Sequence, residues 1–460
     1  MTSLISLLDV AERARSGPKI DEKDWNMNLF KKIQALLKEH NLKIRADEEF
    51  LNTDNSIADA AFQAAFDLIV DMGTYCISTG RIVRFTEEEV KEAIKEAPRE
   101  VPMGEGNDAR IFKQQKLDTR EQINICPGHH APFTEDLASL VVKNFAQIPR
   151  TDFIEGFNFA TVDGREVYER PMEAYATRRE VAWMREGIRK AGKPGLAIVV
   201  YPISTAASAL IAALDPDYGL RRTDGVLLST LPDIKMEYDL LTTAIVYHEY
   251  GSKIKVNGSF GMAGGFCGGP DGAMIEGIAR PLVGWMVYRD TVHYTGVEHI
   301  ASISGETMLV QPMSWARSVV YQALNRNSNT VYMEWNIPCS ELCTEMCLLE
   351  SALRNIEAPL NGANLYAQRV SRPRMNGGQT PLESEWMVEV SDATINAGLT
   401  RKNAGEILEA LSKKIHGKKP VPGKTIQECY DLVRHKPSEE YREIYKKVKK
   451  ELTDLGLHFS

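Results

Sequence analysis

Lys193-Pro194-Gly195-Leu196-Ala197-Ile198-Val199-Val200-Tyr201-Pro202 sets a short apolar run between a Pro-Gly start and a proline stop. Runs of this length, rich in β-branched residues, suit a strand buried on both faces of a parallel sheet. A helical pattern precedes it, Met172 to Lys190, with Val181, Met184 and Ile188 on one face. Ser204 follows as the cap of another. Helix, buried strand, helix is the repeating unit of an α/β protein.

Outward from this strand the same rhythm continues. Candidate strands begin near Gln122, Asp152, Gly195, Gly225, Lys253, Asp290, Thr330 and Ala363, so successive starts lie 28 to 43 residues apart. Helical patterns fall between them, over 135–146, 172–190, 204–214, 236–250, 272–287, 306–325 and 341–356. That spacing is what a right-handed crossover through a helix requires. The expected fold is a (β/α)8 TIM barrel over 116–396, with a helical N-terminal extension over 1–115 and a helical C-terminal extension over 397–460. An open doubly wound sheet is the competitor. The glycine-rich Gly261 to Gly272 holds no G-x-G-x-x-G opening a helix directly after a strand, which leaves that alternative without a nucleotide fingerprint.

The 460 residues carry a net charge of −8, which argues against nucleic acid as a partner. No run of about 18 apolar residues suggests a membrane span. The N-terminal MTSLISLLDVAERARSG reads as an amphipathic helix rather than a signal peptide, because Asp9 and Glu12 interrupt it. The 7 cysteines, an odd number in a large chain, suggest reduced thiols in a cytoplasm.

In a barrel of this kind the chemistry sits at the C-terminal ends of the strands. Those ends offer Cys126, His129 and His130, then Asn158, Val199, Val200 and Tyr201. Further along come Ser229, Asp233, Asn257, Gly258, Glu298, His299, Glu334, Trp335, Arg369 and Arg372. Cys339, Cys343 and Cys347 at i, i+4, i+8 would share one helix face, but tetrahedral thiolate sites favour C-x-x-C pairs, so helix packing is the better reading. His248-Glu249 lacks H-E-x-x-H spacing. No metal ligand set is expected, although a recruited zinc stays open.

LCTEMCLLE (Leu342 to Glu350) with its lead-in Ile337-Pro338-Cys339 resembles the monomethylamine methyltransferase family of methylotrophic archaea. GKTIQECYD (Gly423 to Asp431), the segment Ser438 to Phe459, GTYCISTGRIVRFTEEEV (Gly73 to Val90) and GETMLV (Gly305 to Val310) do so as well. The resemblance implies a (β/α)8 barrel, a homo-oligomer, and methyl transfer to the cobalt of a corrinoid carried by a separate protein. No tightly bound cofactor of the chain's own is expected.

Family members that use monomethylamine carry pyrrolysine after the strand that follows G-K/R-P-G. The resemblance puts that position at Val199 or Val200. The family's carboxylate at the end of the fifth strand falls on Gly258, a second after the fourth strand has no counterpart, and its glutamine before the seventh helix falls on Trp335. These changes suggest an apolar pocket, roomy at Gly258 and aromatic at Trp335. A phenolate leaves with a conjugate-acid pKa of about 10, against roughly 15.7 for an alkoxide, a gap of about 8 kcal/mol at 1.36 per unit. The expected substrate is therefore a methoxylated aromatic, O-demethylated as in the aryl methyl ether demethylases of methanogens and acetogens. Trp335 would stack on the ring, with Val199, Val200 and Gly258 as walls and Arg369 or Arg372 on a ring carboxylate. Tyr201, Asn257 or His299 would donate to the ether oxygen. Alternatives are N-demethylation of a quaternary or other methylamine, where an aromatic cage would hold the cation, and a non-catalytic paralogue that only binds the corrinoid protein.

Overall fold

The computed structural model describes residues 4–128, 131–200, 204–303 and 310–460. Eight parallel strands carry the fold: β1 (Ile125–Cys126), β2 (Phe153–Glu155), β3 (Ala197–Val200), β4 (Gly225–Leu227), β5 (Ile254–Gly258), β6 (Val292–Thr295), β7 (Tyr332–Trp335) and β8 (Asn364–Tyr366). Each is followed by a helix: α1 (Ala138–Ala146), α2 (Glu169–Lys190), α3 (Ala207–Ala212), α4 (Tyr238–Tyr250), α5 (Pro270–Tyr288), α6 (Met313–Asn327), α7 (Glu345–Leu360) and α8 (Pro381–Asn396). Strand pairing runs in chain order from β2 to β8 and returns from β8 to β1. A bridge between Ile125 and Thr151, with the Asp152 amide donating to the Ile125 carbonyl at 3.0 Å, draws β1 against β2 and closes the barrel. All eight expected strands and the barrel are present. The family's resemblance and the crossover spacing thus point to the same architecture.

Both faces of these strands are buried, but they meet different partners. One set of alternate residues fills the barrel interior: Cys126, Phe153, Ala197, Val199, Leu227, Ile254, Val256, Val292, Tyr294, Val331, Met333, Trp335 and Tyr366. The other set, including Ile198, Val200, Val226 and Tyr332, joins the larger core between strands and helices. This alternation decides which side chains can line a site.

Below the barrel, at the N-terminal ends of the strands, the chain differs from a purely helical extension. Residues 100–113 form an antiparallel hairpin, Glu100–Met103 against Arg110–Lys113. Its inward residues Val101, Met103 and Phe112 join the interior core, and Phe112 meets Phe153 edge-on at 5.4 Å. The hairpin closes this end against water. The Glu105 amide donates to the Gly195 carbonyl at 2.8 Å, tying the hairpin to the start of β3. A second small sheet joins 74–76, 81–83 and 235–236. Helices Glu22–Glu39 and Asn55–Met72 pack against α5, and the latter also against α6. Sequence periodicity did not show α8. Its N-terminus is a capping box on Thr380, whose Oγ1 accepts from the Leu382 amide at 3.1 Å while Glu383 reaches back. Trp386 on α8 donates to the Leu348 carbonyl at 2.9 Å and stacks on Phe459 at 5.9 Å, which anchors the C-terminal segment. Replacing Thr380 with alanine is expected to cost roughly 1 kcal/mol in urea unfolding, with Thr380→Ser close to wild type.

Among the described residues no helix is long and apolar enough to cross a membrane.

Candidate active site

The C-terminal ends of the strands bring together, on the inner wall, Cys126 of β1, Glu155 of β2, Val199 of β3, Gly258 of β5, Tyr294 of β6, Trp335 of β7 and Tyr366 of β8. Register places Glu155 beside Val199, Gly258 beside Tyr294, and Trp335 beside Tyr366, which in turn neighbours Cys126. Three of these seven side chains are aromatic, and Phe260 just past β5 joins them. Phe260 stacks on Trp335 with centroids 4.5 Å apart, Trp335 meets Tyr294 at 5.9 Å, and Tyr294 stacks on Tyr366 at 4.7 Å. Offset stacks of this kind hold one another in place. Beyond Phe260 the row ends on Arg280, whose guanidinium lies 5.6 Å from the ring centroid. Arg280 comes from α5 and donates to the carbonyls of Thr230, Gly258 and Phe260, fixing the backbone where β5 ends.

At its other end the row terminates on a carboxyl. The Tyr366 hydroxyl donates to Oε2 of Glu155, which is completely buried. Burial pushes the Glu155 carboxyl up to about 8, while Tyr366 and the nearby Arg369 pull it back. Glu180 of α2, also buried, stands behind Gly156; burial raises it well above the usual carboxylate range, and the proximity of Glu155 adds to that. The wall is therefore not apolar. It carries one acid that is readily protonated, next to rings and a cation.

Gly258 does not leave room for a ligand. A Cβ built there would meet the Tyr294 ring at 2.4 to 2.6 Å. The space that the missing side chain vacates is filled from the next strand.

Other expected site residues go elsewhere. Val199 faces the interior, but Val200 faces the helix layer. Asn257 also faces outward: its Oδ1 accepts from the Thr230 amide at 2.8 Å, and its Nδ2 packs on Gly284 of α5. It is a brace between β5, the loop after β4 and α5. His299 sits past β6, where its Nδ1 accepts from the Ala301 amide at 3.0 Å. Trp335 is on the inner wall as expected. Arg369 is half-buried after β8, its amide donating to the Asn336 carbonyl at 3.0 Å. Tyr201, His129 and His130 lie outside the described residues. Of the three cysteines expected on one helix face, only Cys347 lies in α7; Cys343 has φ +63° in the preceding turn, so the run is not one face.

Directly behind the wall lies a buried charge network that sequence spacing gave no hint of. Arg354 of α7 donates to Glu334 Oε1 at 2.8 Å and to both oxygens of Glu298 at 2.7 and 2.9 Å. Arg317 of α6 binds Glu357 at 3.0 Å and the Val297 carbonyl at 3.1 Å. Burial pushes Glu334 up to about 7 against the pull of both arginines. Burial pulls Arg354 down, but Glu298, Glu334 and Glu357 outweigh it and hold the guanidinium above its ordinary range. The network joins the ends of β6 and β7 to the two helices behind them, and so holds Tyr294 and Trp335 in register. Among the described residues no group of three or more His, Cys, Asp or Glu is placed to hold a metal ion.

Comparison with known proteins addresses the whole of this barrel. The profile described as "Monomethylamine methyltransferase MtmB" matches residues 5–457. This chain belongs to the monomethylamine methyltransferase family. It is 30% identical over 461 residues to MtmB2 of Methanosarcina acetivorans, covering 98% of each chain. To MtmB3 of Methanosarcina barkeri it is 29% identical over 459 residues, again covering 98% of each. The crystal structure of the Methanosarcina barkeri monomethylamine methyltransferase superposes with a TM-score of 0.91 at 26% identity over 100% of both chains. The same values hold for the crystal structure of the hydroxylamine MtmB complex. The chain is thus an enzyme, a corrinoid-dependent methyltransferase, working with a corrinoid carried by a separate protein.

These findings overturn the methoxylated-aromatic substrate expected from the sequence. Relatives along the full length are monomethylamine methyltransferases. The physical premise fails as well: the pocket was to be apolar and roomy at Gly258, yet it holds Glu155, and Tyr294 occupies the room.

Proposed function

We propose that the protein transfers a methyl group from the nitrogen of a methylated amine to the cobalt of a separate corrinoid protein. The observation that carries this reading is Glu155, a carboxyl on the inner wall among aromatic rings. A neutral aryl ether offers the Glu155 anion no opposite charge, whereas a methylammonium ion brings it both a positive charge and N–H donors.

The leaving group sets the requirement. A neutral amine would leave as an amide anion, whereas an ammonium leaves as a neutral amine, so the nitrogen must be cationic when the methyl departs. Val199 has no electrophilic group with which to charge the nitrogen covalently; a protonated substrate is already charged. The chain's own contribution is then to desolvate the ammonium, orient its C–N bond between rings and carboxyl, and exclude water. The closed lower end, sealed by Val101, Met103 and Phe112, leaves the strands' C-terminal ends for the approach of the corrinoid protein.

The stacking of the rings bears on the quaternary-ammonium alternative. A cation cage needs ring faces turned to an open centre. Here Phe260 lies between Arg280 and Trp335, and Tyr294 against Tyr366, so these faces are used by one another. Amines with N–H groups fit better. With reduced corrinoid protein, methylcobalamin absorbance is expected to appear with methylamine and not with 2-methoxyphenol. Turnover of the ether at a rate equal to the amine would refute the reading.

A further inference from the structure

We infer that Glu155, oriented by Tyr366, is the anion that receives the substrate nitrogen, and that the enzyme therefore selects ammonium ions bearing at least one N–H over quaternary ones. This rests on the amine reading above and adds a binding residue and a selection rule to it.

The geometry has three parts. Glu155 occupies the inner face of β2 in the same strand parity as Phe153. The Tyr366 hydroxyl donates to its Oε2, which fixes the carboxyl plane from across the β8–β1–β2 side of the barrel. The positive Arg369 lies close enough to favour its anion. A carboxylate so held accepts hydrogen bonds from an ammonium N–H; a quaternary nitrogen has none to give, and its methyl groups would keep the charges apart. The wall thus distinguishes ions of equal charge by hydrogen bonding, the kind of discrimination a buried polar group performs well.

Among the described residues, four charged or titratable groups surround Glu155: Tyr366 from β8, Arg369 from the segment after it, Glu180 from α2 and Cys126 from β1. Burial dominates, so the free enzyme holds the Glu155 proton until about pH 8. At neutral pH an arriving ammonium displaces that proton to solvent. In the transfer itself the electron pair of cobalt(I) forms the new bond to the methyl carbon, the C–N pair stays on nitrogen, and ammonia leaves with the protons it brought. Glu155 regains its proton from water afterwards. Uptake and release balance over one turnover.

Calorimetry with methylammonium chloride in two buffers of different ionisation enthalpy tests this on the full chain, alongside kcat/KM against pH with reduced corrinoid protein. Wild type is expected to release about one proton per ammonium bound near pH 7, and kcat/KM to rise with pH and level off near 8. Glu155→Gln should bind roughly tenfold more weakly, release no proton and show no such rise. That variant should fold at least as well, because a carboxyl raised from 4.5 to about 8 by burial loses native-state stability as pH climbs between those values, and glutamine does not. Tyr366→Phe removes a group that favours the anion, so the rise should move to higher pH while proton release persists. Unchanged binding and proton release in Glu155→Gln would overturn the inference, as would tetramethylammonium binding as tightly as methylammonium. If wild type binds methylammonium with proton release but moves no methyl group to cobalt from any amine, the proposed reaction fails and Glu155 as a binding residue stands.

Discussion

Replacing Arg354 with alanine is expected to destabilise the protein by about 3–5 kcal/mol in equilibrium unfolding, because it strands buried acids. Arg354 bridges Glu298 and Glu334 with three hydrogen bonds of 2.7 to 2.9 Å. Neither acid reaches solvent, and Arg317 alone stands 3.5 Å from Glu334 and 3.8 Å from Glu298 while bound to Glu357. The loss should depend on pH with a definite sign. Burial already raises Glu334 to about 7, and without Arg354 it must rise further. A group whose folded pKa is raised above its unfolded value binds its proton more tightly in the native state. The variant should therefore be least impaired near pH 5 and progressively more so toward pH 8. Adding Glu334→Gln and Glu298→Gln should restore much of the stability, since the uncompensated charges are then gone. A variant equally stable at both pH values, and unimproved by the glutamines, would show that the network contributes little.

The eight strands were legible because a parallel strand buried on both sides leaves a compact apolar run between turn residues, and the crossover length repeats. The same property hid the site. When both faces are apolar, parity cannot be read from hydrophobicity, so Val199 and Val200, or Asn257 and Gly258, were equivalent on paper. Structure separates each pair. Phe153-Ile154-Glu155 did hold a usable signal: an acid within an otherwise apolar strand is rarely buried without a task. The aromatic run continues through Phe157 and Phe159, which places the end of this strand at Asn158 on sequence grounds, whereas β2 ends at Glu155.

Helix α8 was missed for a related reason. Its buried face includes Glu383, Ser384, Ser391 and Thr394, whose polar atoms are satisfied locally, as in the Glu383 bonds to Thr380 and Tyr441. The apolar positions Leu382, Trp386, Val390 and Ala393 do lie on one face, but they are interleaved with these buried polar residues and the stripe does not stand out. The hairpin over 100–113 shows alternation only across two four-residue strands, too short to stand out beside the charged helices before it. The resemblance to amine methyltransferases identified the reaction type correctly. The substituted polar positions do not by themselves define the pocket, because the wall carries a carboxyl on β2, three strands away from Gly258, and Gly258 is filled from a neighbouring strand.

Gly258 is where this last point can be tested most sharply. Tyr294 lies directly opposite it in the β5–β6 register, and the ring covers the Cα so closely that a Cβ would fall 2.4 Å from the hydroxyl oxygen and 2.6 Å from a ring carbon. Contacts that short require the ring to move. Tyr294 cannot swing freely, because Tyr366 stacks on it at 4.7 Å and 7° and Trp335 stands 5.9 Å away. Gly258→Val should therefore displace the row as a unit, carrying the Tyr366 hydroxyl off Glu155. A shift near 1 Å in a positioning group is worth about a hundredfold in rate, and methyl transfer should fall by that order. Overpacking should cost roughly 1–3 kcal/mol of stability in the same variant, too little to unfold a chain of this size. Pairing Gly258→Val with Tyr294→Ala makes space for the new side chain but leaves a cavity costing about 3–5 kcal/mol, and it should not restore the rate, since the stack that orients Tyr366 is gone. If Gly258→Val alone kept wild-type activity and the pH profile assigned to Glu155, the ring row would be packing only, and the carboxyl would hold its position without it.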